Sequence, residues 1–77
     1  MNKMDINKFM FELNNVLYEN NFDNIEVHII YSDKNDIVVI RVIGDRYNRH
    51  YDYGYSVSRH LLDRMTIDKI VDCLLNI

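Results

Sequence analysis

Proline, tryptophan, alanine and glutamine are absent from this 77-residue chain, and cysteine and glycine are scarce, with one and two copies. A single cysteine, Cys73, excludes an intrachain disulfide framework and a thiolate zinc cluster. With only Gly44 and Gly54 there is no Gly-rich phosphate loop. His50-x-Asp52 has no second ligand pair beside it, so neither a metal nor another cofactor is expected. Positive charge is also short. Nine Lys and Arg face 12 Asp and Glu, a net −3 that argues against a general polyanion binder. The longest apolar run, Ile37-Val38-Val39-Ile40, cannot span a bilayer. Met1 to Met10 lacks the apolar core of a signal peptide, so a cytoplasmic chain without a membrane partner is expected.

What is present is a globular balance: 48% hydrophobic and 27% charged residues in a length that allows one domain, residues 1–77. The spacing predicts an α+β domain of order αβββα, an N-terminal helix, three antiparallel strands and a C-terminal helix. Asp5 is a suitable N-cap, after which Ile6, Phe9, Met10, Leu13, Val16 and Leu17 recur at three- and four-residue spacing. Asn20-Asn21 ends the helix, because Asn tolerates the left-handed conformation, and Phe22 folds back on the last turn.

Ile25, Val27, Ile29 and Tyr31 alternate with Glu26, His28 and Ile30, the period of a half-buried strand. A two-residue loop at Lys34-Asn35 sets Tyr31 opposite Val38, Ile29 opposite Ile40 and Val27 opposite Val42, which keeps Arg41 off the apolar face. A four-residue turn over Asp45 to Asn48 then places Tyr51, Tyr53 and Tyr55 opposite Val42, Ile40 and Val38. All three strands present their large apolar groups to one side, and both helices are expected on that side. Gly44 is assigned to the turn and Gly54 to a bulge or close approach. Leu61 and Met65 point away from Ile67, Ile70, Val71 and Leu74, so a short turn near Arg59–Arg64 and a last helix over Ile67–Asn76, capped by Thr66, are expected. Cys73 is read as a small semi-buried hydrophobe in that helix.

Two surfaces remain for partners. Met4, Phe11 and Tyr18 are seven apart and project together, roughly 120° from the core stripe at 100° per residue. Either they pack on the C-terminal segment or they form an aromatic contact patch. On the outer sheet face, the expected register puts His28, Arg41 and Asp52 in one row, with Ile30, Val39 and Ile43 on the same side. An Arg41–Asp52 cross-strand pair is the simplest account of that row. A catalytic base at His28 or His50, oriented by Asp52, would need a third group and a pocket.

All five arginines fall between residues 41 and 64, interleaved with tyrosines. Arg41, Arg46, Arg49 and Tyr47 carry the chemistry of protein hot spots and of single-stranded nucleic-acid platforms alike. Three inward tyrosines and the nearby Asp45, Asp52 and Asp63 favour the protein partner and make nucleic acid the alternative. A homodimeric structural or regulatory subunit is a further alternative, since outer-face isoleucines would suit a two-fold contact.

The order helix–strand–strand–strand–helix resembles the double-stranded RNA-binding domain in outline. Thr66-Ile67-Asp68-Lys69 stands where that family has a lysine-rich cluster, so RNA binding is not carried over. Ten Asn, ten Ile and nine Asp follow the usage of AT-rich genomes, as in low-GC bacteria and their phages. In length, acidity and layout the chain also resembles the small inhibitors that phages and mobile elements encode against host defence, anti-CRISPR proteins above all. That resemblance implies a non-catalytic module in the host cytoplasm, occluding a functional surface of a defence nuclease or similar nucleic-acid-handling protein. Asp33, Asp36, Asp63, Asp68 and Asp72 would stand in for phosphates if it worked by mimicry.

Overall fold

The first helix begins where the sequence offers a carboxylate. In the computed structural model, which describes residues 4–77, the Asp5 side chain accepts from the Lys8 N–H at 2.7 Å and starts α1, Ile6–Glu19. Of the N-terminal stretch read for a signal peptide, residues 1–3 lie outside the described residues. Phe9, Leu13, Val16 and Leu17 are the buried stripe of α1. Asn21, at φ 70°, turns the chain in the left-handed region and drops Phe22 into the core, 1% exposed.

Strands β1 (Asp23–Ser32), β2 (Ile37–Arg46) and β3 (Arg49–Ser58) form one antiparallel sheet in the order β1-β2-β3. The β1–β2 register is the expected one, with Tyr31 opposite Val38, Ile29 opposite Ile40 and Val27 opposite Val42. Pairing stops at Ser32 and Ile37, so the connection is the four residues Asp33 to Asp36 and not Lys34-Asn35 alone.

The β2–β3 register differs from expectation by two residues. The loop is Tyr47-Asn48, both left-handed at φ 51° and 64°, which is the two-residue turn whose twist matches the strands. Tyr51, Tyr53 and Tyr55 therefore sit opposite Gly44, Val42 and Ile40. A two-residue shift preserves the alternation of faces, so all three rings still point inward. Tyr51 is buried, at 7% exposed, while Tyr53 and Tyr55 are partly buried against the core.

Neither glycine has its expected place. Gly44 is inside β2, where an added Cβ would come within 3.3 Å of the Asp23 carbonyl oxygen. Gly54 makes neither bulge nor close approach: its β2–β3 ladder is regular and an added Cβ would meet nothing within 4 Å. The bulge is in β1, between Asp23 and Glu26, with Asn24 at φ 52°.

A short 3-10 turn, Arg59–Leu61, leads to α2, Arg64–Leu75. This helix starts three residues earlier than Thr66 predicts. Asp63 is the N-cap, accepting from the Thr66 N–H at 3.0 Å, and the Thr66 hydroxyl donates instead to the Leu61 carbonyl. Leu61 and Met65 face solvent as their angle demands, and Leu62 is buried. Cys73 is exposed, not semi-buried; its thiol meets the Tyr53 hydroxyl, and that contact with burial pushes the Tyr53 phenol up to about 12. Ile67, Ile70, Val71 and Leu74 join the α1 stripe, Phe22 and the inner strand residues in one core. Both helices cover the tyrosine side of the sheet. Among the described residues no helix is long and apolar enough to cross a membrane.

Candidate functional site

With both helices on one side, the second face of the sheet is uncovered. Ile30, Ile37 and Val39 cluster there towards the β1–β2 turn, 67%, 36% and 36% exposed. Towards the β2–β3 hairpin the same face turns acidic. Glu26 and Asp52 flank Ile43 across the ladder, and Asp23 lies opposite Asp45. The expected row of His28, Arg41 and Asp52 is corrected by the register: Arg41 lies between His28 and Gly54, and Asp52 lies opposite Ile43.

The predicted ion pair forms nevertheless, on the diagonal. Arg41 donates from Nε and Nη2 to both Asp52 carboxylate oxygens at 2.9 and 2.6 Å. Gly54, with no side chain opposite Arg41, leaves the guanidinium room to lean across. This hydrogen bonding holds the Asp52 carboxyl below the usual carboxylate range. Asp45 is likewise lowered, first by its bond to His50 and then by that from Asn24. Asp52 is thus occupied by Arg41, and the histidines take other acids: His28 lies 3.5 Å from Glu26, and His50 2.8 Å from Asp45. Among the described residues no three metal-type ligands converge.

The lowered carboxylates make a signed prediction. A group whose folded pKa is depressed stabilises the fold above its unfolded pKa, near 4, and loses that contribution as pH falls through the folded value. Asp52→Asn should therefore melt slightly below wild type at neutral pH. The gap should close on acidification below about pH 4, as wild-type Asp52 protonates. Melting curves across that range check it; a gap that widens in acid would refute the assignment. The shift is small because both side chains are about half exposed.

The aromatic stripe on α1 is broken. Met4 lies ahead of the helix, donates its N–H to the Leu62 carbonyl at 3.0 Å and packs on the core. Phe11 and Tyr18 remain outside, 65% and 70% exposed. Tyr18 joins a second feature that the sequence reading did not assemble: an open cleft of about 770 Å³ at the hairpin end. Its walls are the α1–β1 connection and the tip of β2–β3, including Tyr18, Asn21, Asn24, Arg46, Tyr47 and Arg49.

Here Arg46 lies over the rings of Tyr47 and Phe22, at 4.6 and 5.8 Å, and donates Nε to the Asn20 carbonyl at 2.9 Å. Asn21 donates its side-chain amide to the Tyr47 hydroxyl at 2.9 Å. Among the described residues, four of the five left-handed non-glycine positions (Asn21, Asn24, Tyr47 and Asn48) lie at this end. The available sequence signal was the density of Asn around Tyr47 and Phe22, side chains that tolerate such backbone.

The ten candidate residues are therefore split among four places. Ile30, Val39, Arg41 and Ile43 share the open sheet face; Tyr18, Arg46, Tyr47 and Arg49 meet at the hairpin cleft; Phe11 stands alone on α1 and Met4 is drawn into the core edge. The fold is that of a small open-faced α+β domain. Beyond that class, comparison with known proteins adds nothing: no family model, no curated protein and no solved structure matches the chain.

Proposed function

We propose that this chain is a non-catalytic protein-binding module whose uncovered sheet face is its contact surface. In the narrower form of the proposal it is an inhibitor that occludes a nucleic-acid-handling protein, such as a host defence nuclease. One observation carries the reading: the face is bipartite, with exposed Ile30, Ile37 and Val39 at one end and Glu26, Asp45 and Asp52 at the other. An apolar patch rimmed by charge is the usual composition of a docking surface.

Charge selects among occupants. Four carboxylates on this face stand against one guanidinium, that of Arg41. Two copies stacked face to face would set acid on acid or acid on apolar surface, so a foreign partner with basic groups beside an apolar patch fits better than a second copy. A protein that channels a nucleic acid supplies the basic groups, since it neutralises phosphates with Lys and Arg. Occlusion is favoured over phosphate mimicry, because the acids named for mimicry are dispersed. Asp63 is spent as an N-cap, Asp68 is paired with Arg64, and Asp36 accepts from Tyr31. The basic segment is dispersed too, with Arg41 bound to Asp52 and Arg64 near Glu12 and Asp68.

The test uses the tagged chain to capture its partner from cells of its source, with Val39→Arg and Phe11→Ser run in parallel. Expected is one nucleic-acid-handling protein, held by wild type and Phe11→Ser and lost with Val39→Arg, whose nuclease or binding activity falls as the chain is added. Light scattering should report a monomer. A tight homodimer that Val39→Arg dissolves, or capture lost through Phe11→Ser alone, would overturn the reading.

A further inference from the structure

The hairpin closing pair is electrostatically unusual. Arg46 and Arg49 are direct partners across the β2–β3 ladder, and like charges placed directly opposite destabilise a sheet. Among the described residues neither guanidinium has an Asp or Glu carboxylate within 4.0 Å, whereas Arg41 and Arg64 do. The two are instead fixed in place. Arg46 rests on Phe22 and Tyr47 and donates Nε to the Asn20 carbonyl, at the end of α1. Arg49 lies 5.3 Å over the Tyr51 ring and donates one Nη1 bond, 2.9 Å, to the Ile77 carbonyl beyond the end of α2.

Helix C-termini carry only about half a negative charge each. The end of α1 positions Arg46 without neutralising it, and Arg49 keeps further donors beyond the one given to the main-chain oxygen of Ile77. A guanidinium has five N–H donors, and the bonds just named use one on each arginine. Both arginines line the 770 Å³ cleft, which places two held guanidinium groups beside a single ligand site. Two acids also line the cleft: Asp45, engaged by His50 and Asn24, and Asp23 on β1.

The cleft also offers flat apolar surface beside its charge. Tyr18 and Tyr47 are 70% and 71% exposed and line the same walls. One face of Tyr47 is covered by Arg46, which leaves Tyr18 as the open stacking surface. Paired guanidinia select an oxyanion, and an open phenol ring beside them selects a planar group attached to it. The volume lies within the ~300–1,000 Å³ of small-molecule sites. We propose that this cleft binds a nucleoside monophosphate, its phosphate between Arg46 and Arg49 and its base against Tyr18. The cleft borders the acidic end of the sheet face through Asp23 and Asp45, but its ligand and its test are separate from the protein contact proposed there.

Nitrogen-15-labelled chain titrated with adenosine monophosphate tests this by amide chemical shifts, with inorganic phosphate and adenosine as separate arms. Expected is saturable binding with a dissociation constant of about 0.1–1 mM, as suits an open, water-filled site. The shifts should be confined to residues 18–24 and 45–50. Phosphate and adenosine alone should each bind at least about tenfold more weakly. Arg49→Gln should weaken the nucleotide about tenfold, the loss of one charged contact. Tyr18→Ala removes an exposed ring, so it leaves the fold intact; it should weaken the nucleotide and leave phosphate binding unchanged. No saturation by about 5 mM, shifts centred elsewhere, or equal binding of phosphate alone would each overturn the assignment. So would an Arg49→Gln chain that keeps its dispersed spectrum and binds the nucleotide as wild type does.

Discussion

Replacing Phe22 by alanine is expected to lower the unfolding free energy by about 3–5 kcal/mol. Domains of this size hold only ~5–15 kcal/mol in total, so the variant should melt tens of degrees lower, at roughly 4–8 °C per kcal/mol. The reason is its position between elements. Phe22 is 1% exposed, lies edge-on to Tyr51 at 5.2 Å between ring centroids, and supports the Arg46 guanidinium at 5.8 Å. Neighbours cannot collapse into the space it leaves. The chain on either side is held by Asn21 and Asn24 in left-handed conformations, and Gly44 runs so close that a Cβ added there would lie 3.6 Å from the ring. The loss is cavity plus transfer together. Thermal melts by circular dichroism check it, with Phe11→Ala as the surface comparison, expected within about 0.5 kcal/mol of wild type. A Phe22→Ala chain that melted beside wild type would mean that the hairpin end is not packed as described.

Phe22 also marks what the sequence made legible and what it hid. Its return onto the helix could be read from Asn20-Asn21, since a left-handed Asn is a recognisable stop. That it would carry Arg46 on its ring could not, because that contact depends on the β2–β3 register. Register was the part the sequence left open. The turn at Tyr47-Asn48 has no glycine, and tyrosine in a left-handed position is an uncommon choice that no turn pattern announces. Gly44 drew the expected turn two residues wide of the real one. It is needed for the approach of the Asp23 carbonyl, a contact between strands far apart in sequence. The faces survived this error because alternation has period two. The diagonal Arg41–Asp52 pair was therefore foreseen from the wrong row, its long side chain spanning the difference. The start of α2 was misplaced for a related reason. Asp63 and Thr66 are both good caps, and only the position of Leu61, whose carbonyl takes the Thr66 hydroxyl, decides between them. The hairpin cleft was invisible as a unit, since it draws on the end of α1, the β1 bulge and the β2–β3 tip. The open sheet face was legible almost entirely, from alternation alone.

That alternation predicts opposite outcomes for adjacent residues. Ile40 is 0% exposed in the middle of the central strand, while Val39, one step along, is 36% exposed on the uncovered face. Ile40→Arg puts a cation among Phe9, Leu13 and Ile70 with no acid among its core neighbours. An unpaired buried charge and the overpacking that accompanies it exceed about 4–5 kcal/mol, so this chain should not fold at 25 °C. Val39→Arg directs the same guanidinium into water, on a face where Glu26 and Asp52 already favour positive charge. Its stability cost should stay within about 1 kcal/mol, the span of strand propensity. Dispersed amide spectra and a cooperative melt should persist for Val39→Arg and vanish for Ile40→Arg. The pair separates folding from binding: if Val39→Arg keeps its melt and loses its protein partner, the uncovered face is the contact surface and its apolar end is the anchor. If both variants unfold, some element covers the second face, and the bipartite surface on which partner binding rests does not exist. If Ile40→Arg folds, the tyrosine side of the sheet is not the core.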